Sequence, residues 1–276
     1  MKIPKVPLLI ILILALLYFR IFHWLVHAWL TDPYYSHGFL VLLISAFVAW
    51  RALRAARAPQ PEVNRSPYRT GLYLFAAGLL VYAIGFITIF PFLIAVSFLG
   101  TLSGLILYFY GEALMRALLF PVTYLIFAIP LPVEFLDKAG YVLQALSARY
   151  PAALLALLGI PVTRVGAEVH LADAAFVVGL PCSGMNSLIA LLALAALFIY
   201  LLQCPWYRKA ALLCAAVPIA IFANITRVTA LLLIAARYGA ETATGFYHTL
   251  FSPLLFIIAF ICLILISVPM GCKVRV

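Results

Sequence analysis

The chain alternates long apolar runs with short polar breaks. A helix needs about 20 mainly apolar residues to cross about 30 Å of hydrocarbon. Runs of that kind fall at 7–29, 37–55, 71–89, 91–110, 113–131, 184–202, 210–236 and 248–268. They predict an all-α polytopic integral membrane protein with about eight transmembrane helices, forming a single membrane domain over 1–276. The third and fourth runs are parted only at Phe90-Pro91, which demands a tight reversal there. The one long stretch that does not span is 132–183. In its first half, 133–158, apolar residues recur at helical spacing around Asp137, Lys138, Gln144 and Arg149, the pattern of an amphipathic helix in the outer interface. The second half, 161–179, alternates about a central Gly166 and predicts a short β-hairpin.

Composition makes lipid the solvent for most of this chain. Hydrophobic residues are 67% of the 276 and charged residues 9%, where a soluble domain carries roughly 25% charged. The first run follows Lys2 and Lys5, but it is too long for the apolar core of a signal peptide and has no A-x-A cleavage pattern, so it reads as a retained span.

The net charge of +10 is accounted for by topology. With a cytoplasmic N-terminus, the inner face receives Lys2, Lys5, Arg51, Arg54, Arg57, Arg65, Arg69, Arg116, Arg208, Lys209, Lys273 and Arg275, as the positive-inside rule requires. The outer face receives Asp32, Glu134, Asp137, Glu168, Asp173 and Glu241. Both termini are then cytoplasmic, lipid is the constant partner, and no nucleic-acid partner is needed to explain the basic balance.

The five cysteines, Cys182, Cys204, Cys214, Cys262 and Cys272, have no paired spacing, which argues against a disulfide framework and against a zinc site. Glu168, His170 and Asp173 match no standard ligand spacing. No metal or other cofactor is expected.

Three polar features reach the outer face in this topology. Cys182 lies in Pro181-Cys182-Ser183-Gly184-Met185-Asn186, where the external segment enters the sixth run. A helix N-terminus favours the thiolate and offers backbone N–H groups to an oxyanion. Arg227, in Asn224-Ile225-Thr226-Arg227, sits roughly 27 Å along its helix from Arg208-Lys209, near the outer edge of the hydrocarbon. An arginine at such depth is costly and marks function by default. His248 opens the eighth run and suits proton transfer near neutral pH. Together they make a workable set for acyl transfer. Each alone has an ordinary reading: a structural cysteine, a snorkelling arginine, an interfacial histidine. A transporter, or a non-catalytic factor in export or polysaccharide assembly, remains open from these residues. A metalloprotease or serine hydrolase is disfavoured, since neither H-E-x-x-H nor G-x-S-x-G occurs.

The same residues resemble the exosortase/archaeosortase family of membrane-embedded transpeptidases, in which a Cys, an Arg and a His or second Arg form the proposed catalytic set. Cys182-Ser183-Gly184 before a long apolar helix is similar to the nucleophile motif, Asn224 to Arg227 to Asn-x-x-Arg, and His248 falls at the histidine position. Asp32-Pro33-Tyr34-Tyr35-Ser36-His37-Gly38 looks like the early Tyr-Ser-His-Gly signature. Phe120-Pro121 and Ile129-Pro130-Leu131-Pro132 resemble the segment before the external region. Thr249-Leu250-Phe251-Ser252-Pro253 and Met185-Asn186 depart from the more usual sequences.

The resemblance implies a bacterial cytoplasmic-membrane enzyme with its active site on the outer face. It implies catalytic Cys182, Arg227 and His248. Ser183, Asn186 and Asn224 flank these positions as candidate substrate contacts, Asn224 alternatively bonding Arg227 or a neighbouring helix. His37 and Tyr35 share the outer face, where they line the site or serve as interfacial side chains of the membrane belt. The implied substrates are exported proteins whose C-terminal signal comprises a short motif, a transmembrane helix and a basic tail. Cleavage through a thioester would transfer the new C-terminus to an acceptor amine.

Overall fold

The computed structural model describes residues 5–55, 68–171, 174–179, 183–239, 242–243 and 247–274, without the side chains of 5–8, 11, 174–175, 177 and 248–249. The fold is all-α and apolar, with small sheets only, and defines a polytopic membrane protein. Two compact units divide the chain, Met1–Leu131 and Pro132–Val276.

In the first unit the 7–29 run forms α1 (Lys5–Leu17) and α2 (Phe19–Thr31), interrupted at Tyr18. The ladder carries across the interruption: the Tyr18 N–H donates to the Leu14 carbonyl at 2.9 Å and the Phe22 N–H to that of Tyr18 at 3.0 Å. Tyr18 is fully buried, its hydroxyl 2.8 Å from Ser97 Oγ and 3.0 Å from Thr101 Oγ1.

Helix α3 covers Gly38–Ala55, α4 Arg69–Ile87 and α5 Pro91–Tyr124. The tight reversal between α4 and α5 is present at 88–90, with Ile89 at a φ of 52°. The two helices then run so close that a Cβ on Gly78 would lie 2.6 Å from the Thr101 nitrogen, and one on Gly104 2.4 Å from the Phe75 nitrogen. Small residues are what let helix backbones approach like this in lipid. At Gly111 (φ 80°, ψ −178°) α5 breaks. Leu114, Leu118 and Val122 beyond the break cluster with Leu99, Leu102 and Ile106 before it. Leu99 and Leu114 would be about 22 Å apart on one straight helix, so α5 folds back as a hairpin. A 3₁₀ turn, Leu125–Ala128, ends the unit.

The second unit opens with α6 (Val133–Leu157), the helix expected over 133–158. Its buried face carries Gly140, Leu143, Ser147, Ala148, Pro151 and Leu155, at the spacing of an apolar stripe, and packs on α8. The expected hairpin is larger than the alternation suggested. Strands β1 (Val162–Val165), β2 (Glu168–Leu171) and β3 (Ala174–Val177) form an antiparallel meander. Gly166 takes the positive φ (62°) in the β1–β2 turn.

Helix α7 (Met185–Leu201), β4 (Leu202–Gln203), α8 (Trp206–Tyr238), α9 (His248–Ser267) and β5 (Lys273–Val274) follow. The cysteine reading needs correction here. Cys204 and Cys272 are disulfide-bonded, with Cα atoms 5.0 Å apart across a sequence separation of 68. The ends of α7 and α9 meet through the β4–β5 pairing, which brings two cysteines together that no local spacing connects. The Arg208 guanidinium donates to the Met270 carbonyl at 2.6 Å in the same cluster.

Among the described residues, five helical stretches are long and apolar enough to cross a membrane: Gly38–Ala55, Arg69–Ile87, Pro91–Ala128, Trp206–Tyr238 and Leu250–Ser267. Met185–Leu201 is shorter but equally apolar in kind.

Candidate active site

Among the described residues, the polar cluster of the second unit is built from α6, the start of α7 and the middle of α8. Ser183 (1% exposed), Ser147 (2%) and Asn224 (5%) are its members. The Asn224 Nδ2 donates to Ser147 Oγ at 2.7 Å and to the Ser183 carbonyl at 2.9 Å. Ser147 Oγ donates to that same carbonyl at 3.3 Å. Ser183 Oγ in turn accepts the Met185 N–H at 3.4 Å, in the first turn of α7. Gly184 reverses the chain between them in the left-handed region, at a φ of 89°.

One turn beyond Asn224 on α8 lies Arg227, itself buried. Its Nη1 donates to Ser252 Oγ on α9 at 3.3 Å. A small cavity of about 20 Å³ lies beside it, lined at its polar end by Ser187, Asn224, Arg227 and Ser252 and elsewhere by Leu191, Ala220 and Phe256. A cavity of that size holds about one water. A buried guanidinium among neutral hydrogen-bonding groups can stabilise a carboxylate or a developing oxyanion that reaches it.

The structure bonds Asn224 to the Ser183 carbonyl, sets Arg227 one turn further along α8, and places Asn186 in the first turn of α7. His248 begins α9 one turn before Ser252, its side chain outside the description. Cys182 lies outside the described residues, as do Asp173, Glu241 and the basic linker residues Arg57 and Arg65. Sequence reasoning missed Ser147 and Ser252. Ser252 sits in the stretch that departs from the usual pattern after His248. Ser147 carries no motif, only a polar position on the buried stripe of α6.

Tyr35 and His37 belong to the first unit. Tyr35 is 1% exposed, and its hydroxyl accepts the Leu131 N–H at 2.8 Å. His37 Nε2 is 3.1 Å from the Phe127 carbonyl. A carbonyl only accepts, so the neutral ring carries its proton on Nε2 and presents Nδ1 as an acceptor. That Nδ1 is buried without a hydrogen-bond partner among the described residues. Burial holds the His37 imidazole below its ordinary range, with the Phe127 bond opposing. Burial also pushes the Tyr35 phenol up to about 12, against the bond from Leu131. With Trp29 Nε1 donating to the Ala128 carbonyl at 2.7 Å, the 29–37 stretch is bonded to the 127–131 stretch at three points. Two motifs read separately in the sequence are one structural assembly.

An all-α membrane protein with a buried arginine one turn from an asparagine-and-serine cluster is the class these features define. The model of the transmembrane exosortase family matches residues 29–265, and the chain belongs to that family. It is a membrane-embedded protein of a sorting-enzyme family. No curated protein and no solved structure matches it.

Proposed function

We propose that this chain is a cysteine transpeptidase that cleaves exported proteins at a C-terminal sorting signal. The thiolate of Cys182 attacks the scissile carbonyl carbon, and the oxyanion that forms is stabilised by the Arg227 guanidinium. His248 delivers a proton to the departing amine as the C–N bond breaks, leaving a thioester on Cys182. An acceptor amine then attacks the thioester, loses its proton to His248, and expels the thiolate. His37 and Tyr35, with Ser183, Asn186 and Asn224, contribute to holding the substrate. The substrate's transmembrane helix and basic tail suit a multi-pass enzyme of the bacterial cytoplasmic membrane, with both termini cytoplasmic and the reaction at the outer face.

The observation that carries this reading is Arg227, buried at 7% exposure one turn from Asn224, whose amide is bonded to the carbonyl of the residue following Cys182. A guanidinium at that depth is costly to place and marks a functional position by default. The test is co-expression with a tagged substrate bearing a tripartite signal from the same genome. C-terminal processing should be lost in both Cys182→Ala and Cys182→Ser at equal membrane abundance, with a thioester trapped in the wild type. Normal processing by every variant would remove the transpeptidase mechanism and favour a transporter or assembly role.

A further inference from the structure

We infer that Ser147 is a positioning residue for the Ser183–Gly184 peptide, which follows Cys182 in the sequence, an inference that rests on the reading of Cys182 as nucleophile. Helical serines and threonines ordinarily satisfy their hydroxyls on a carbonyl one turn back. In this molecule Ser97 bonds the Ile94 carbonyl, Thr101 that of Ser97, Thr226 that of Phe222 and Thr229 that of Ile225. Ser147, like Ser45 with its bond to the Pro121 carbonyl, does otherwise. Its hydroxyl crosses from α6 to the Ser183 carbonyl, 36 residues away, while accepting from Asn224 Nδ2. The Ser183 carbonyl thus receives two bonds, one from Ser147 on α6 and one from Asn224 on α8.

That carbonyl belongs to the residue directly after Cys182. Anchoring it from two helices fixes the peptide plane between Ser183 and Gly184. In a trans peptide the Gly184 N–H points opposite the Ser183 carbonyl. The anchor therefore sets the direction of an amide hydrogen two residues from the nucleophile, where a donor for an oxyanion is useful. A serine placed only for packing needs none of this, and alanine would fill its site on the buried stripe.

Wild type, Ser147→Ala, Ser147→Thr and Cys182→Ala are compared as purified full-length protein in nanodiscs. The first readout is the alkylation rate of Cys182 by iodoacetamide across pH, followed on the Cys182 peptide by mass spectrometry. The second is kcat and KM for substrate processing. For Ser147→Ala we expect kcat to fall on the order of tenfold, the worth of about one hydrogen bond. KM should stay within about twofold, with the alkylation pH profile displaced and Ser147→Thr restoring both. An alkylation profile and kcat identical to wild type in Ser147→Ala would overturn the inference. So would equal losses in the alanine and threonine variants, which would mark a packing role. Processing that persists in Cys182→Ala sinks the nucleophile reading instead. The alkylation profiles then still decide whether Ser147 governs the Ser183–Gly184 peptide.

Discussion

Gly184 and Asn224 are packed so closely that a Cβ on the glycine would lie 2.6 Å from the asparagine Cγ. The glycine also holds a φ of 89°, which a side chain tolerates poorly. The Gly of Cys-Ser-Gly and the Asn of Asn-x-x-Arg are thus two sides of one contact. Gly184→Ala should cost about 1–3 kcal/mol from backbone strain alone, and more from the clash. The asparagine Cβ lies 2.8 Å from the same point, so it takes an Asn224→Gly background to relieve the clash, and there the cost of Gly184→Ala should shrink. Thermal unfolding of the four proteins of this cycle measures the difference, and additive losses would deny the contact.

Arg227 should be intolerant even of lysine, because a point charge cannot reproduce the fork that reaches Ser252. In the proposed mechanism Arg227 faces the developing oxyanion, and losing such a donor costs about 10²–10³ in rate. Arg227→Lys is therefore expected to lose processing by at least about a hundredfold at normal membrane abundance. Ser252→Ala, which only loosens the guanidinium, should lose a few-fold. Initial rates on one substrate separate the two.

The pH dependence of stability follows from His37 and Tyr35. His37 has a folded pKa below its ordinary 6.5. Its contribution is complete above that value and is lost as pH falls through 6.5 toward the folded pKa. Tyr35, raised from 10.0 to about 12, contributes fully below 10 and loses that contribution as pH rises from 10 to 12. Melting temperatures from pH 5 to 8 should decline on the acid side in wild type and decline less in His37→Gln. An unchanged acid limb in the variant would assign the decline to other groups.

The Cys204–Cys272 bond bears on topology. Closing a loop of this length is worth roughly 2–4 kcal/mol, so Cys204→Ser and Cys272→Ser should each lower the melting temperature of oxidised protein. Structural disulfides persist in oxidising compartments, yet the proposed orientation puts this end in the cytoplasm. In cells quenched with acid, both thiols should alkylate freely; after purification in air they should be protected until reduced. Protection already present at the quench would place this end outside the cytoplasm and reverse the proposed orientation.

Much of the fold was legible because its signals are local. Lipid forces backbone polar groups to pair within a helix, so runs such as 37–55 and 71–89 announce α3 and α4 without any tertiary information. The break at Phe90-Pro91, the amphipathic α6 and the clustering of Asn224 with Arg227 near the start of the sixth run were readable by the same arithmetic of rise and periodicity. The third strand of the meander was not, since Ala174–Val177 is apolar without a turn signature of its own.

By itself the sequence determined the solvent, the helical class, the family resemblance and the residue types on which the proposed acyl transfer rests. Tertiary structure alone decided which distant groups meet. It paired Cys204 with Cys272, folded α5 back at Gly111, joined His37 to Phe127, and sent the Ser147 hydroxyl to the Ser183 carbonyl. Apolar periodicity tells each helix only which face to bury. The partner buried against that face, and the hydrogen bonds made there, depend on how close two backbones can come, as glycines such as Gly78 and Gly184 permit.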